Sequence, residues 1–151
     1  MNIRTGNTVA AACLGLFGSL TFASLEAAGS ERHERGLQVM DHLSGGAGQP
    51  VLEALREDYP FLADGITQYA LGDVWGRSEL DDRTRQLAVV AAFAAQGNLQ
   101  YMKVHAGYAL RLGVTREELK EVVYLTTVTA GFPRAIDAAQ ALREVPAPEA
   151  R

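Results

Sequence analysis

The chain has 151 residues, 48% of them hydrophobic and 21% charged, with a formal net charge of −4. That length argues for a single domain and that composition for a folded one. The mild acidity excludes the positive footprint that nucleic acid demands and the basic helix face that holds a protein on an anionic membrane.

Cys13 is the sole cysteine. It rules out an intrachain disulfide, a CxxC redox pair and a cysteine-based zinc site. It lies in a segment with the pattern of a secretory signal. Residues 1–8 are polar with one cation, Arg4; residues 9–25 are apolar or small and uncharged; Glu26 and then Ala27, Ala28, Gly29 and Ser30 follow. A charged start, an apolar centre and small residues at its end are what a signal peptidase reads. Residues 1–28 are therefore expected to be a signal peptide, cut after Ala23, Ala27 or Ala28, with residues 29–151 as the functional domain in the periplasm or outside the cell. The alternative is an uncleaved anchor. The apolar run is at the short end for that, since about 20 apolar residues span a bilayer.

The mature chain reads as helices throughout. Residues 31–43 form the first, stopped by Gly45 and Gly46. A short one follows with Pro50 in its first turn and Val51, Leu52 and Leu55 on one side. Pro60 opens another carrying Phe61, Leu62, Ile66 and Tyr69, which runs out near residues 72–76. Asp81 or Asp82 can cap a helix through Leu87, Val90 and Phe93 that ends at Gly97. Asn98 can cap the next, ending at Gly113. Thr115 and Glu118 form a T-x-x-E capping box for a helix over 116 to about 130. Gly131-Phe132-Pro133 breaks it, and Pro133 opens a last helix to about 144. The β-branched cluster at 122–129 is ambiguous alone, but the capping box and length favour a helix. The fold class is all-α, with no run of alternating residues long enough for a strand.

Among polar residues, His105 is the most informative. Met102, Ala109 and Leu112 stand at helical spacing around it, with Tyr101 one turn back, so it points to the apolar side of its helix. It is either a hydrogen-bonded core histidine or a general acid/base, because imidazole titrates near neutrality. His33 and His42 lie too far out of register to share a helix face, and no HxxxH or HExxH spacing occurs, so no metal is expected. Residues 69–77 concentrate Tyr69, Asp73, Trp75 and Arg77 where a helix unravels. They form an aromatic plug with Asp73 paired to an arginine, a pocket wall, or both. Arg83 and Arg85 open a helix at the end unfavourable to cations, which calls for a partner: Glu79, Asp81 or Asp82 nearby, or an anionic ligand.

Several of these stretches together resemble a known family. Tyr69-Ala-x-Gly-Asp-Val-Trp75, Leu80-Asp-Asp-Arg-Thr-Arg85, His105, Gly113-Val-Thr-Arg-Glu-Glu118 and Ala130-Gly-Phe-Pro133 are similar, in order and spacing, to the carboxymuconolactone decarboxylase family over about residues 31–145. The resemblance implies a compact helical domain of the alkylhydroperoxidase D-like type and a homo-oligomer, trimeric or hexameric. The alkylhydroperoxidase D-like branch uses a glutamate, a CxxC pair and a histidine. Aligned on His105, its cysteines fall at Asn98 and Tyr101 and its glutamate at Gln86, so that thiol route is excluded here. The decarboxylase branch also lacks CxxC, and this chain resembles it more closely. The resemblance implies a decarboxylase that needs no cofactor, acting on a small unsaturated carboxylated lactone such as 4-carboxymuconolactone. His105 is then the proton donor, Gln86 and Tyr101 orient it or the substrate, Arg85 holds an anionic group, and Tyr69 and Trp75 line the pocket. The rival readings are an exported binding or assembly module that kept the fold, or a thiol-independent relative of the peroxidase branch. An export signal sits poorly with the cytoplasmic catabolism of aromatic acids.

Overall fold

Helix follows helix along the computed structural model, which describes residues 14–147. The order is α1 (Leu14–Ser44), α2 (Pro50–Asp58), α3 (Pro60–Asp64), a π-helix (Gly65–Trp75), α4 (Asp82–Gln96), α5 (Leu99–Arg111) and α6 (Arg116–Glu144). Among the described residues there is no strand, and the protein is all-α; the β-branched cluster lies within α6. Cys13 and residues 1–13 of the expected signal lie outside the described residues. α1 starts well before residue 31, so all three expected cleavage points fall along it. No helix among the described residues is long and apolar enough to cross a membrane.

The chain divides into two compact units. One takes the described chain up to Gln38 together with Val51–Gly76. The helix expected from Pro60 begins as an α-helix but continues as eleven residues of π-helix, which periodicity could not foretell. α1 meets that π-helix backbone to backbone. A Cβ on Gly36 would collide with the Thr67 carbonyl oxygen, and one on Gly72 with that of Arg32. Beside this contact Asp73 binds the Arg32 guanidinium at 2.5 Å and that of Arg35 at 3.5 Å, the arginine pairing expected from sequence. Gly36→Ala and Gly72→Ala should each lower the melting temperature, because a methyl group can enter only by parting the two helices. Overpacking of this kind costs roughly 1–3 kcal/mol. Thermal unfolding followed by circular dichroism checks it, and an unchanged melting temperature in both variants would contradict the close approach.

The other unit comprises Val39–Pro50 and the chain from Arg77 onward. Here α4, α5 and α6 pack pairwise around Val90, Ala94, Met102, Ala106, Ala109, Leu119, Val122 and Ala138. The termini of these helices are fixed much as the sequence implies. Asp81 accepts from the Thr84 amide at 2.9 Å, and Gly97 closes α4 at φ 77°. Thr115 and Glu118 make both bonds of the capping box. Asn98 is a correction: it starts α5 without a side-chain cap and instead donates its amide to Gln96 Oε1 at 2.9 Å. Gly131, at φ 84°, interrupts α6 as expected, so the helix has two arms, each contributing to the core.

Candidate active site

Gln86 sits on α4 with no solvent exposure, and His105 faces it from α5. His105 Nδ1 and Gln86 Oε1 are 2.9 Å apart. Since a carbonyl oxygen only accepts, the ring carries its proton on Nδ1 and its lone pair on Nε2. Burial pushes the His105 pKa down to about 4, so the imidazole is neutral at pH 7. A neutral amide at position 86 offers the ring orientation without a charge to stabilise its cation. Gln86 Nε2 is buried and has no hydrogen-bond partner among the described residues. Such a donor costs about 1–3 kcal/mol while unsatisfied.

Two aromatic rings flank the histidine, and a third packs on one of them. Phe93 lies 5.4 Å from the imidazole centroid, and Tyr108 meets it edge-on at 5.8 Å and 84°. Tyr101 packs against Phe93 at 5.6 Å with the rings tilted by 33°, and is half exposed. Tyr108 is fixed in turn: its hydroxyl accepts from Gln49 Nε2 at 3.1 Å and points to Met40 Sδ at 3.8 Å. Burial raises the Tyr108 pKa, so it stays a neutral phenol. The structure thus brings together His105, Gln86 and, through Phe93, Tyr101. Phe93 and Tyr108 were not singled out from sequence as site residues. The available signal was spacing: Phe93 stands two turns after Gln86 on α4, and Tyr108 one turn after His105 on α5.

Arg85 precedes Gln86 on α4 and is partly buried. Its Nη2 donates to the carbonyl oxygens of Arg77 at 2.8 Å and Leu80 at 3.1 Å, which ties the approach to α4 onto its first turn. The carboxylates considered as its partners are engaged elsewhere: Asp82 with His42 at 3.0 Å, Glu79 with Arg77 at 3.4 Å, and Asp81 as the helix cap. Arg83 reaches Glu118 at 2.9 Å, pinning α4 to the start of α6. Hydrogen bonds from Thr115 and then Arg83 hold the Glu118 pKa down. Tyr69 and Trp75 belong to the π-helix of the other unit, Tyr69 exposed and Trp75 partly buried. Among the described residues no three potential His, Cys, Asp or Glu ligands come together.

The fold and this centre define a class: an all-α protein with a neutral, amide-held histidine in an aromatic setting. Residues 60–144 match the carboxymuconolactone decarboxylase family model. The chain is similar to 4-carboxymuconolactone decarboxylase of Acinetobacter baylyi, 30% identical over 116 residues, covering 76% of this chain and 87% of that protein. It is also similar to nitrosuccinic acid decarboxylase of Metarhizium robertsii, 33% identical over 122 residues, covering 76% and 84% respectively. A third relative, an uncharacterised protein of Methanocaldococcus jannaschii, is 26% identical over 94 residues, covering 62% of this chain and 87% of its own. The chain belongs to the carboxymuconolactone decarboxylase family, and its named relatives make it a member of a decarboxylase type.

Proposed function

We propose that the protein is a cofactor-independent carboxy-lyase whose proton donor is His105. One observation carries this reading: a neutral histidine held through Nδ1 by Gln86, whose own buried Nε2–H lacks an acceptor among the described residues. A carboxylated lactone and a nitro acid, the substrates named for two relatives, share one chemical feature. In each, the electrons left by a departing carboxylate pass into an electron-withdrawing group. Loss of CO₂ from such a substrate needs neither metal nor thiol. It needs a dry setting for the carboxylate and a proton for the carbon left behind.

The aromatic rings around His105 supply the dry setting. A substrate carboxylate entering there brings the negative charge that Gln86 lacks, and it raises the histidine pKa. The ring then takes a solvent proton at Nε2. When the C–C bond to the carboxylate breaks, CO₂ leaves and the electron pair moves into the lactone carbonyl. Nε2 gives its proton to carbon and returns to the neutral state. In this reading Gln86 Nε2–H donates to a substrate oxygen, Tyr101 flanks the rings, and Arg85 is the cation assigned to a second anionic group. Incubating the protein with 4-carboxymuconolactone and related carboxylated unsaturated lactones, and measuring CO₂ release, tests the reading. Release that persists unchanged in His105→Gln would remove its central residue. Export to the periplasm or beyond is proposed on residues 1–28 alone.

We also propose that the protein works as a homo-oligomer, a trimer or hexamer. α6 exposes Leu125 and Val128 on its first arm and Phe132 and Ile136 on its second, with Val128 83% and Phe132 71% open. Large apolar groups so exposed mark a surface that another chain covers. Sedimentation should give a trimer or larger, and a monomer at micromolar concentration would refute the assembly.

A further inference from the structure

A second concavity lies on α6, away from the histidine centre and sharing no residue with it. The break at Gly131 sets the two arms of the helix around a cavity of about 240 Å³. Val123 from the first arm and Leu142 from the second, both almost fully buried, form its floor, and the exposed Tyr124 offers a ring at its side. Three cations, Arg116, Lys120 and Arg143, stand around this floor, and no carboxylate is among the lining residues. In a chain of net charge −4 this is a local reversal of sign.

The three cations are committed to different degrees. Arg116 donates to the carbonyl oxygens of Leu142, at 3.2 Å, and Val145, and so ties the two arms together. Lys120 pairs with Glu117 at 2.7 Å across an exposed helix turn, a contact of little strength in water. Arg143 has no carboxylate partner among the described residues. An apolar floor with cations above it matches a molecule with a flat apolar body and one negative end. The volume lies just below the roughly 300–1,000 Å³ of drug-sized ligand pockets, so the occupant is small.

We propose that this groove is a second binding site, for a small aromatic or cyclic monocarboxylate. Its body lies on Val123 and Leu142 against Tyr124, and its carboxylate meets Arg143 and Lys120. Benzoate is the probe, titrated into the full chain while the methyl resonances of Val123 and Leu142 are followed by NMR. Those resonances should shift in a saturable way. The neutral analogue benzyl alcohol should bind about tenfold or more weakly, as loss of a charge-assisted hydrogen bond implies. The double variant Lys120→Gln, Arg143→Gln changes only exposed side chains, and it should weaken benzoate by at least the same factor. His105→Gln should leave the shifts at Val123 and Leu142 unaltered. Three results would overturn the proposal: no saturable shift at either methyl group, equal affinity in the double variant, or loss of the shifts in His105→Gln. A double variant that changes the oligomeric state while benzoate fails to bind the parent protein would assign the groove to a second copy of the chain instead.

Discussion

His105→Gln should slow decarboxylation by about 100- to 10,000-fold, the range for loss of a general acid, while the helices and their packing persist. Glutamine is the informative replacement because its amide can still donate to Gln86 Oε1, so α4 and α5 keep their polar contact. At neutral pH the melting temperature should therefore move little. Acid pH separates the two proteins further. The folded histidine has its pKa pushed down to about 4, below the ordinary 6.5. Its unfolded form therefore binds the proton more readily. The stability tied to the neutral ring is complete above pH 6.5 and is lost as pH falls from 6.5 to 4. The full loss is about 3 kcal/mol by proton linkage. The glutamine variant has no such group and should resist acid better than the parent. Thermal melts at pH 7 and pH 4, with turnover measured on the same preparation, give both readings. Normal turnover with a lowered melting temperature at pH 7 would make His105 a structural residue.

The helices were legible where local chemistry alone decides them. The Thr115–Glu118 capping box, the Asp81 cap and the glycines at 97 and 131 use groups within a few residues of one another, and sequence displays those directly. Asn98 shows the limit of such signals: it is a good cap by type, yet Gln96 lies closer to hand and takes its amide. The π-helix was hidden because apolar spacing does not display it, and its packing against α1 is not local. Gly36 and Gly72 allow α1 to approach until backbone meets backbone, and only the folded structure brings residues so distant in sequence together.

The candidate site was legible in part for the same reason. His105 could be placed on an apolar face by helical spacing, and Gln86 by the family resemblance, but their 2.9 Å contact joins two helices. Phe93 and Tyr108 read as ordinary core residues, because an aromatic ring carries no mark of what it will stack on. By its place at a helix N-terminus Arg85 calls for a carboxylate nearby or an anionic ligand. Its Nη2 binds main-chain carbonyl oxygens, which sequence does not display as partners at all.

Gln86→Glu should raise the pKa of His105 and carry the pH profile of the enzyme with it. A carboxylate at this position would lie about 2.9 Å from Nδ1, in a place with no solvent exposure. An opposite charge at such a distance favours the imidazolium and lifts its pKa by roughly 1–3. A proton donor must be protonated to act, so kcat/KM is lost as pH rises through the pKa of the free enzyme. In the parent that loss begins above about 4. In the variant the falling limb moves to higher pH, and every increase of one in the pKa raises the protonated fraction near neutrality about tenfold. The acid-induced loss of stability shrinks at the same time, because the folded pKa approaches that of the unfolded chain. The added carboxylate also repels an anionic substrate, so KM should rise while the limb in kcat/KM moves. NMR titration of the imidazole and a pH–rate profile on the same variant test both halves of the argument. A profile that rises with pH through this limb would make His105 a base, and an imidazole pKa unchanged by the substitution would break the link between Gln86 and the histidine.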